Sequence, residues 1–168
     1  MGHLPPPHLR DPGDAWVYGP NGEKVWGRFG AAGVLVWYPE TDSVLLQLRA
    51  LWSHHGGTWG IPGGAIRLNE TFEEGAFREA HEEAGVPLDA IERAGEFVID
   101  LGFWKYSTVI GRATRYFEPF DNDGESIELR WVPINEVHEL ELHPRFGESW
   151  PEVRALLEGI RDEFAREI

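Results

Sequence analysis

Gly64-Ala65-Ile66-Arg67-Leu68-Asn69-Glu70-Thr71-Phe72-Glu73-Glu74-Gly75-Ala76-Phe77-Arg78-Glu79-Ala80-His81-Glu82-Glu83-Ala84-Gly85-Val86 contains a helix whose two ends are both marked by local chemistry. Thr71-Phe72-Glu73-Glu74 is a capping box, in which a hydroxyl and a carboxylate each satisfy a free N–H of the first turn. Gly85 stands where a helix closes in the left-handed conformation that glycine adopts without strain. These signals predict a helix from Phe72 to Ala84. At about 100° per residue, Phe72, Ala76, Phe77, Ala80 and Ala84 form its apolar face. Glu79, Glu82 and Glu83 gather along one edge of that face, while Arg78 falls nearly opposite the core. Carboxylates spaced i, i+3, i+4 beside an apolar stripe repel one another and resist desolvation unless a cation joins them. A hard divalent ion such as Mg²⁺ suits an all-oxygen set of this kind.

The chain on either side reads mainly as strands. Trp16 to Arg28 is a hairpin around Pro20-Asn21-Gly22. Ala31–Tyr38 and Ser43–Arg49 are strands joined by Pro39-Glu40-Thr41-Asp42, and the glycine-rich run Gly56 to Gly64 is a structured loop or a broken strand. Downstream, Gly95–Leu101, Tyr106–Phe117 and Leu129–Val132 are rich in β-branched and aromatic residues. A short helical piece spans Asn135 to Leu140. A final helix has Ser149 as cap, Pro151 in its first turn, Glu152, and Val153, Leu156, Leu157, Ile160 and Phe164 at helical spacing. No repeat or dividing linker interrupts this order, which predicts one α+β domain over residues 16–168, preceded by a flexible proline-rich N-terminus over residues 1–15.

Composition narrows the chemistry. The 168 residues hold 15 bases and 29 acids, a net charge of −14, which disfavours nucleic-acid backbone and anionic membrane as partners. Cysteine is absent, so any metal must be held by oxygen or imidazole. The longest apolar run, Ala31–Tyr38, is far short of the roughly 20 residues that span a bilayer. Met1 to Gly13 lacks the pattern of a secretion signal, and a cytoplasmic protein is expected. The acid is concentrated in two segments, with eight acids and one base in each: Glu70–Glu92 and Glu118–Glu141.

The spacing of Gly64, Glu70, Arg78-Glu79, Glu82-Glu83 and Gly85-Val86 resembles the box of the Nudix hydrolases, G-x5-E-x7-R-E-U-x-E-E-x-G-U, departing only in the small Ala80 at the first apolar position. The resemblance implies an α/β/α sandwich with a mixed sheet, a box helix and a C-terminal helix. It also implies a hydrolase that cuts a nucleoside diphosphate linked to another group, using Mg²⁺ or Mn²⁺. Carried over, the metal ligands are the Gly63 carbonyl, Glu79, Glu82 and Glu83. Arg78 orients the carboxylates, Glu70 braces the loop, and Gly64 and Gly85 are structural. Glu82, Glu83 and Arg78 thus belong to the catalytic set.

Outside the box, Glu125-Ser126-Ile127-Glu128-Leu129-Arg130-Trp131 looks like the E-x-x-E-x-x-W segment of many MutT-like members. It offers a general base, Glu128 as first choice and Glu125 as second. Arg49, at the end of its strand, is the candidate phosphate ligand. Trp104 and Phe146 are candidates for stacking a base. Ala50 to Ala65 and Leu142-His143-Pro144 are similar to the branch that includes 8-oxo-dGTP diphosphatases, which suggests a nucleoside triphosphate cut to monophosphate and pyrophosphate. One departure is Phe146, which stands where the best-known MutT proteins have a base-reading asparagine. Two other readings remain open here: an ADP-ribose or dinucleotide pyrophosphatase, and a non-catalytic module that senses a nucleotide. A homodimer is compatible with each.

Overall fold

Trp16–Tyr18 (β1) and Lys24–Trp26 (β2) form an antiparallel ribbon, with Trp16 opposite Trp26 across a turn whose Gly22 takes φ 84°. The structure, a computed structural model, describes residues 11–167. Beyond the ribbon, a second sheet runs through Ala31–Tyr38 (β3), Ser43–Arg49 (β4), Trp59–Gly60 (β5), Gly63–Ala65 (β6), Ile91–Asp100 (β7), Lys105–Ala113 (β8) and Ser126–Pro133 (β9). Its order is β5-β4-β3-β8-β7, with β6 added to β3 and β9 to β4. The pairing of β3 with β8 is parallel and the rest are antiparallel, so the sheet is mixed.

Alternation along the strands splits the core into two layers. Ala32, Val34 and Val36 of β3 join Leu45 and Val109 under helix α1 (Phe72–Ala84), with Ala76, Ala80 and Ala84 facing them. Leu35 and Trp37 join Val44, Leu46 and Ile110 on the other face, under helix α2 (Pro144–Glu167). The result is the expected α/β/α sandwich. No helix among the described residues is long and apolar enough to cross a membrane.

The ends of α1 fall where the sequence puts them, with both hydrogen bonds of the Thr71–Glu74 capping box present and Gly85 at φ 65°. Other boundaries differ. β7 begins at Ile91 rather than Gly95, because a register shift between Arg93 and Gly95 breaks the alternation that marks a strand. β8 stops at Ala113, and Phe117 leaves the sheet to pack under α1. α2 starts at Pro144, not near Ser149. The His143 ring accepts the Arg145 N–H at 3.1 Å, Ser149 is buried within the helix, and Pro151 lies in its interior. The expected flexible N-terminus also needs correction where it is described. Asp11 accepts N–H groups from Gly13 and Leu68, and the Gly13 carbonyl accepts Arg28 N–H, so residues 11–15 are docked on the fold. Residues 1–10 of that expectation lie outside the described residues.

Candidate active site

β6 and α1 form one unit. The Gly63 N–H donates to Glu83 Oε2 at 3.1 Å, and a Cβ on Gly64 would come within 2.8 Å of Glu79 Oε1, so the strand approaches the helix carboxylates as only glycine allows. Arg78, far from lying in solvent, locks this unit. Its Nε and Nη2 meet the two oxygens of Glu70 at 2.8 and 3.0 Å, its Nη2 also reaches the Ala65 carbonyl, and its Nη1 meets Glu79 at 3.0 Å and Glu82 at 3.2 Å. The carboxylate of Glu70 raises the Arg78 pKa further. Burial pushes Glu70 up, but Arg78 and the Arg67 N–H outweigh it and hold Glu70 below the usual carboxylate range.

The segment between β8 and β9 docks on the end of α1. Phe120 and Asn122 donate their N–H groups to the carbonyls of Ala84 and Glu83, satisfying the helix end. Phe120 also packs over Gly85, where a Cβ would come within 2.3 Å of its ring. This docking sets carboxylate oxygens of Glu83, Asp123 and Glu125 within 4.8 Å of one another.

Glu83 is only 8% exposed, and burial, followed by the charges of Glu79, Glu125 and Asp123, pushes its pKa well above the ordinary value. Burial also raises Glu79 despite Arg78 beside it. Asp123 is pushed up to about 6, by partial burial first and then by Glu125 and Asp121, against the Glu125 N–H that favours its charged form. A converging all-oxygen set that resists holding its negative charges fits a hard divalent cation.

Two expected residues lie apart from this cluster. Glu82 is half-exposed and turned toward Arg78 and Arg67, 3.6 Å from the latter. Glu128, the first choice as base, is the other, whereas Glu125, the second choice, lies in the cluster. Glu128 and Arg130 share the α2 face of β9 and pair at 2.8 Å, while Leu129 and Trp131 face α1. The register shift opposite Leu48 and Arg49 re-aims the preceding residues, and the Ser126 hydroxyl receives Gln47 Nε2 at 2.7 Å.

Next to the carboxylates is a cavity of about 320 Å³, and the three expected substrate residues Arg49, Trp104 and Phe146 all line it along with Gly63 and Gly64. Tyr106 enters it from β8, with its hydroxyl so close to β3 and β6 that a Cβ on Gly33 would lie 2.5 Å away. Burial and then Glu83 raise its pKa, keeping the phenol protonated. The sequence does not single out Tyr106, Asp123 or Arg145. Asp123 belongs to an acidic patch visible by count, but nothing local marks Tyr106 or Arg145.

A mixed sheet between two helices, with box-helix carboxylates against a glycine strand and a cavity beside them, is the architecture of a Nudix hydrolase. The family model described as NUDIX domain matches residues 27–153, and the chain belongs to that family. It is similar to "Putative 8-oxo-dGTP diphosphatase 3" of Mycobacterium tuberculosis, 46% identical over 155 residues that cover 87% of this chain and 71% of that protein. A "Nucleoside triphosphate pyrophosphatase/Nudix hydrolase fusion protein" of Bifidobacterium longum is 42% identical over 94% of this chain, which spans 34% of that protein. Among solved structures, RenU, a Nudix hydrolase from M. smegmatis, is 43% identical and superposes with a TM-score of 0.77, covering 88% of this chain and 97% of its own.

Proposed function

We propose that the chain is a divalent-metal-dependent pyrophosphohydrolase that cuts a nucleoside triphosphate to monophosphate and pyrophosphate, with oxidised guanine nucleotides among its substrates. The observation that carries this reading is Glu83, buried and uncompensated at the meeting of Glu79, Asp123 and Glu125, on the edge of a cavity with aromatic and cationic walls. Glu79 and Glu83, with the Gly63 carbonyl and Glu82, are the residues that would hold Mg²⁺ or Mn²⁺, and Asp123 adds to the negative charge there. When bound, the ion supplies charge neutralisation on the phosphates and lowers the pKa of water.

The chain's own groups do the rest. Arg78 fixes Glu79 through their 3.0 Å ion pair, and Glu70 fixes Arg78. Glu125 accepts the proton of the water that attacks phosphorus, and pyrophosphate leaves with the bond electrons. Arg49 holds phosphate and Phe146 provides an apolar wall, while Trp104, 6% exposed and 5.0 Å from the Arg145 guanidinium, carries that cation rather than a base. The name of the M. tuberculosis relative supports oxidised guanine as a substrate. Phe146 has no amide, so any discrimination of that base rests on other contacts. The intact carboxylate set favours hydrolysis over a purely sensing role.

The test is turnover of nucleoside triphosphates, oxidised and not, with product identification, in Glu83→Gln and Glu82→Gln. Both variants are expected to fold and to lose turnover by orders of magnitude. Full Mg²⁺-dependent activity in both would overturn the reading.

A further inference from the structure

The cavity carries charge opposite to that of the carboxylates beside it. In a chain of net charge −14, nine lysines and arginines pair with carboxylates. Lys24, Arg49 and Arg145 make no such pair among the described residues, and all three line this cavity, where Glu148 is the single lining carboxylate.

Each is held in place by something other than an acid. The Lys24 ammonium lies 4.2 Å from the centroid of the Trp16 ring, and the Arg145 guanidinium 5.0 Å from that of Trp104. A cation resting on an aromatic face keeps its outward N–H groups free for an anion. Arg49 spends only its Nε, on the His54 carbonyl at 3.0 Å. His143 receives the Arg145 N–H at Nδ1, which leaves the ring proton on Nε2 as a further donor. These groups act on one another. After burial, Arg49 is the next influence lowering His143, and His55, Arg49 and Lys24 help to lower His54. Three unpaired cations and a donating imidazole around one space oppose each other until an anion enters.

We infer that Lys24, Arg49 and Arg145 form an anion subsite for a phosphate other than those held at the Glu79–Glu83 cluster. The inference rests on the proposed function only in taking the anion to be part of a polyphosphate substrate. Two sources present that chemistry: the terminal phosphates of a nucleoside triphosphate, and the phosphates beside the second nucleoside of a dinucleoside polyphosphate.

The first experiment uses metal-free protein and no turnover. Calorimetric titration with inorganic tripolyphosphate is expected to show binding that weakens about tenfold in Lys24→Met and again in Arg145→Met, each loss typical of one charge-assisted contact. Methionine keeps the aliphatic stem on its tryptophan, and unchanged thermal melts verify the fold. No binding to the wild type, or equal binding to all three proteins, overturns the subsite even if the enzyme hydrolyses nucleotides well. Conversely, failure to find any hydrolysis leaves this titration intact. The second experiment compares kcat/KM with Mg²⁺ for a nucleoside triphosphate, a dinucleoside tetraphosphate and a nucleoside diphosphate sugar. Losses shared by the first two substrates assign the subsite to terminal phosphates, and losses confined to the dinucleotide assign it to the second nucleotide. An equal loss on the nucleoside diphosphate sugar, which has no further phosphate, overturns the inference.

Discussion

Glu70, Arg78, Glu79 and Glu83 come from the single segment between Gly64 and Gly85, whereas Lys24, Arg49, Trp104 and Arg145 come from four segments that meet only in the folded chain. The acidic unit is fixed by neighbours in sequence: a capping box, a left-handed glycine and one guanidinium reaching two strands of chain. The basic wall is fixed by tertiary packing, since β2, the end of β4, the loop before β8 and the start of α2 become neighbours only where the ribbon and α2 pack on the seven-stranded sheet. Chemistry tied to local spacing and selectivity tied to topology respond differently to substitution.

The sharpest way to break this contrast is at the late loop, which is distant in sequence yet joins the acidic unit. Glu125→Gln is expected to lower kcat a hundredfold to ten-thousandfold, the usual range for a general base. Glu128→Gln is expected to cost far less, because Glu128 pairs with Arg130 on the opposite face. A loss in Glu125→Gln no larger than that in Glu128→Gln would overturn Glu125 as the base.

Arg78→Ala tests how far the acidic unit depends on one residue. Its side chain is 16% exposed and its removal leaves Glu70 and Glu79 without their cation, so about 3 kcal/mol of stability should be lost in metal-free urea unfolding. A loss below about 1 kcal/mol, the range of surface pairs, would mean that the unit is held by the sheet instead.

Thr71→Ala removes the hydroxyl that receives Glu74 N–H at 3.1 Å and should cost about 1 kcal/mol by the same measurement. Activity in that variant should follow the folded fraction. A fall in kcat beyond it would show that the helix cap also positions the carboxylates.

The last effect lies on the basic side and is absent at neutral pH. Burial, followed by Arg49, pulls His143 down to about 3 from 6.5. Between those values the unfolded chain binds a proton at this ring that the folded chain does not, so this residue removes stability as pH falls through that window. Protonation would also end the acceptance of Arg145 N–H by Nδ1. His143→Asn keeps a side-chain acceptor without the titration, and its thermal midpoints should fall less steeply than those of the wild type from pH 6.5 to 4. Parallel curves would mean that the α2 cap does not sense pH.

These differences follow what the sequence made legible. The limits of α1 were readable to the residue, because Thr71, Glu74 and Gly85 act within one turn of each end. The start of α2 was not, because Ser149, Pro151 and Glu152 imitate a cap inside a helix that opens at Pro144 behind an imidazole, a less common capping group. Glu79 and Glu83 could be placed together by periodicity alone. Alternation alone puts Glu125 and Glu128 on opposite faces, but that the Glu128 face turns away from α1 follows only from the fold, in which Leu129 and Trp131 pack toward that helix. Arg49, Trp104 and Phe146 could be picked out one by one by chemistry and position, yet no spacing in the sequence says that they share a cavity. Residues 11–15 read as part of a free tail because proline dominates the composition before them, while the Asp11 carboxylate that ties them down reaches Leu68 N–H across 57 residues of chain.

The β1–β2 ribbon has a backbone ladder of its own and meets the rest of the molecule through a small cluster around Val25 and Trp104, with the Trp104 indole donating to the Trp26 carbonyl at 3.2 Å. A wall attached in this way can tilt, lengthen or change its side chains while the strands that carry Gly63 and Glu83 keep their register. Under the proposed subsite, gripping the cargo and breaking the bond fall to separable parts. Exchange of the ribbon, as one short cassette of Trp16 to Trp26, offers a route to redirect what enters without rebuilding the machinery that cuts it.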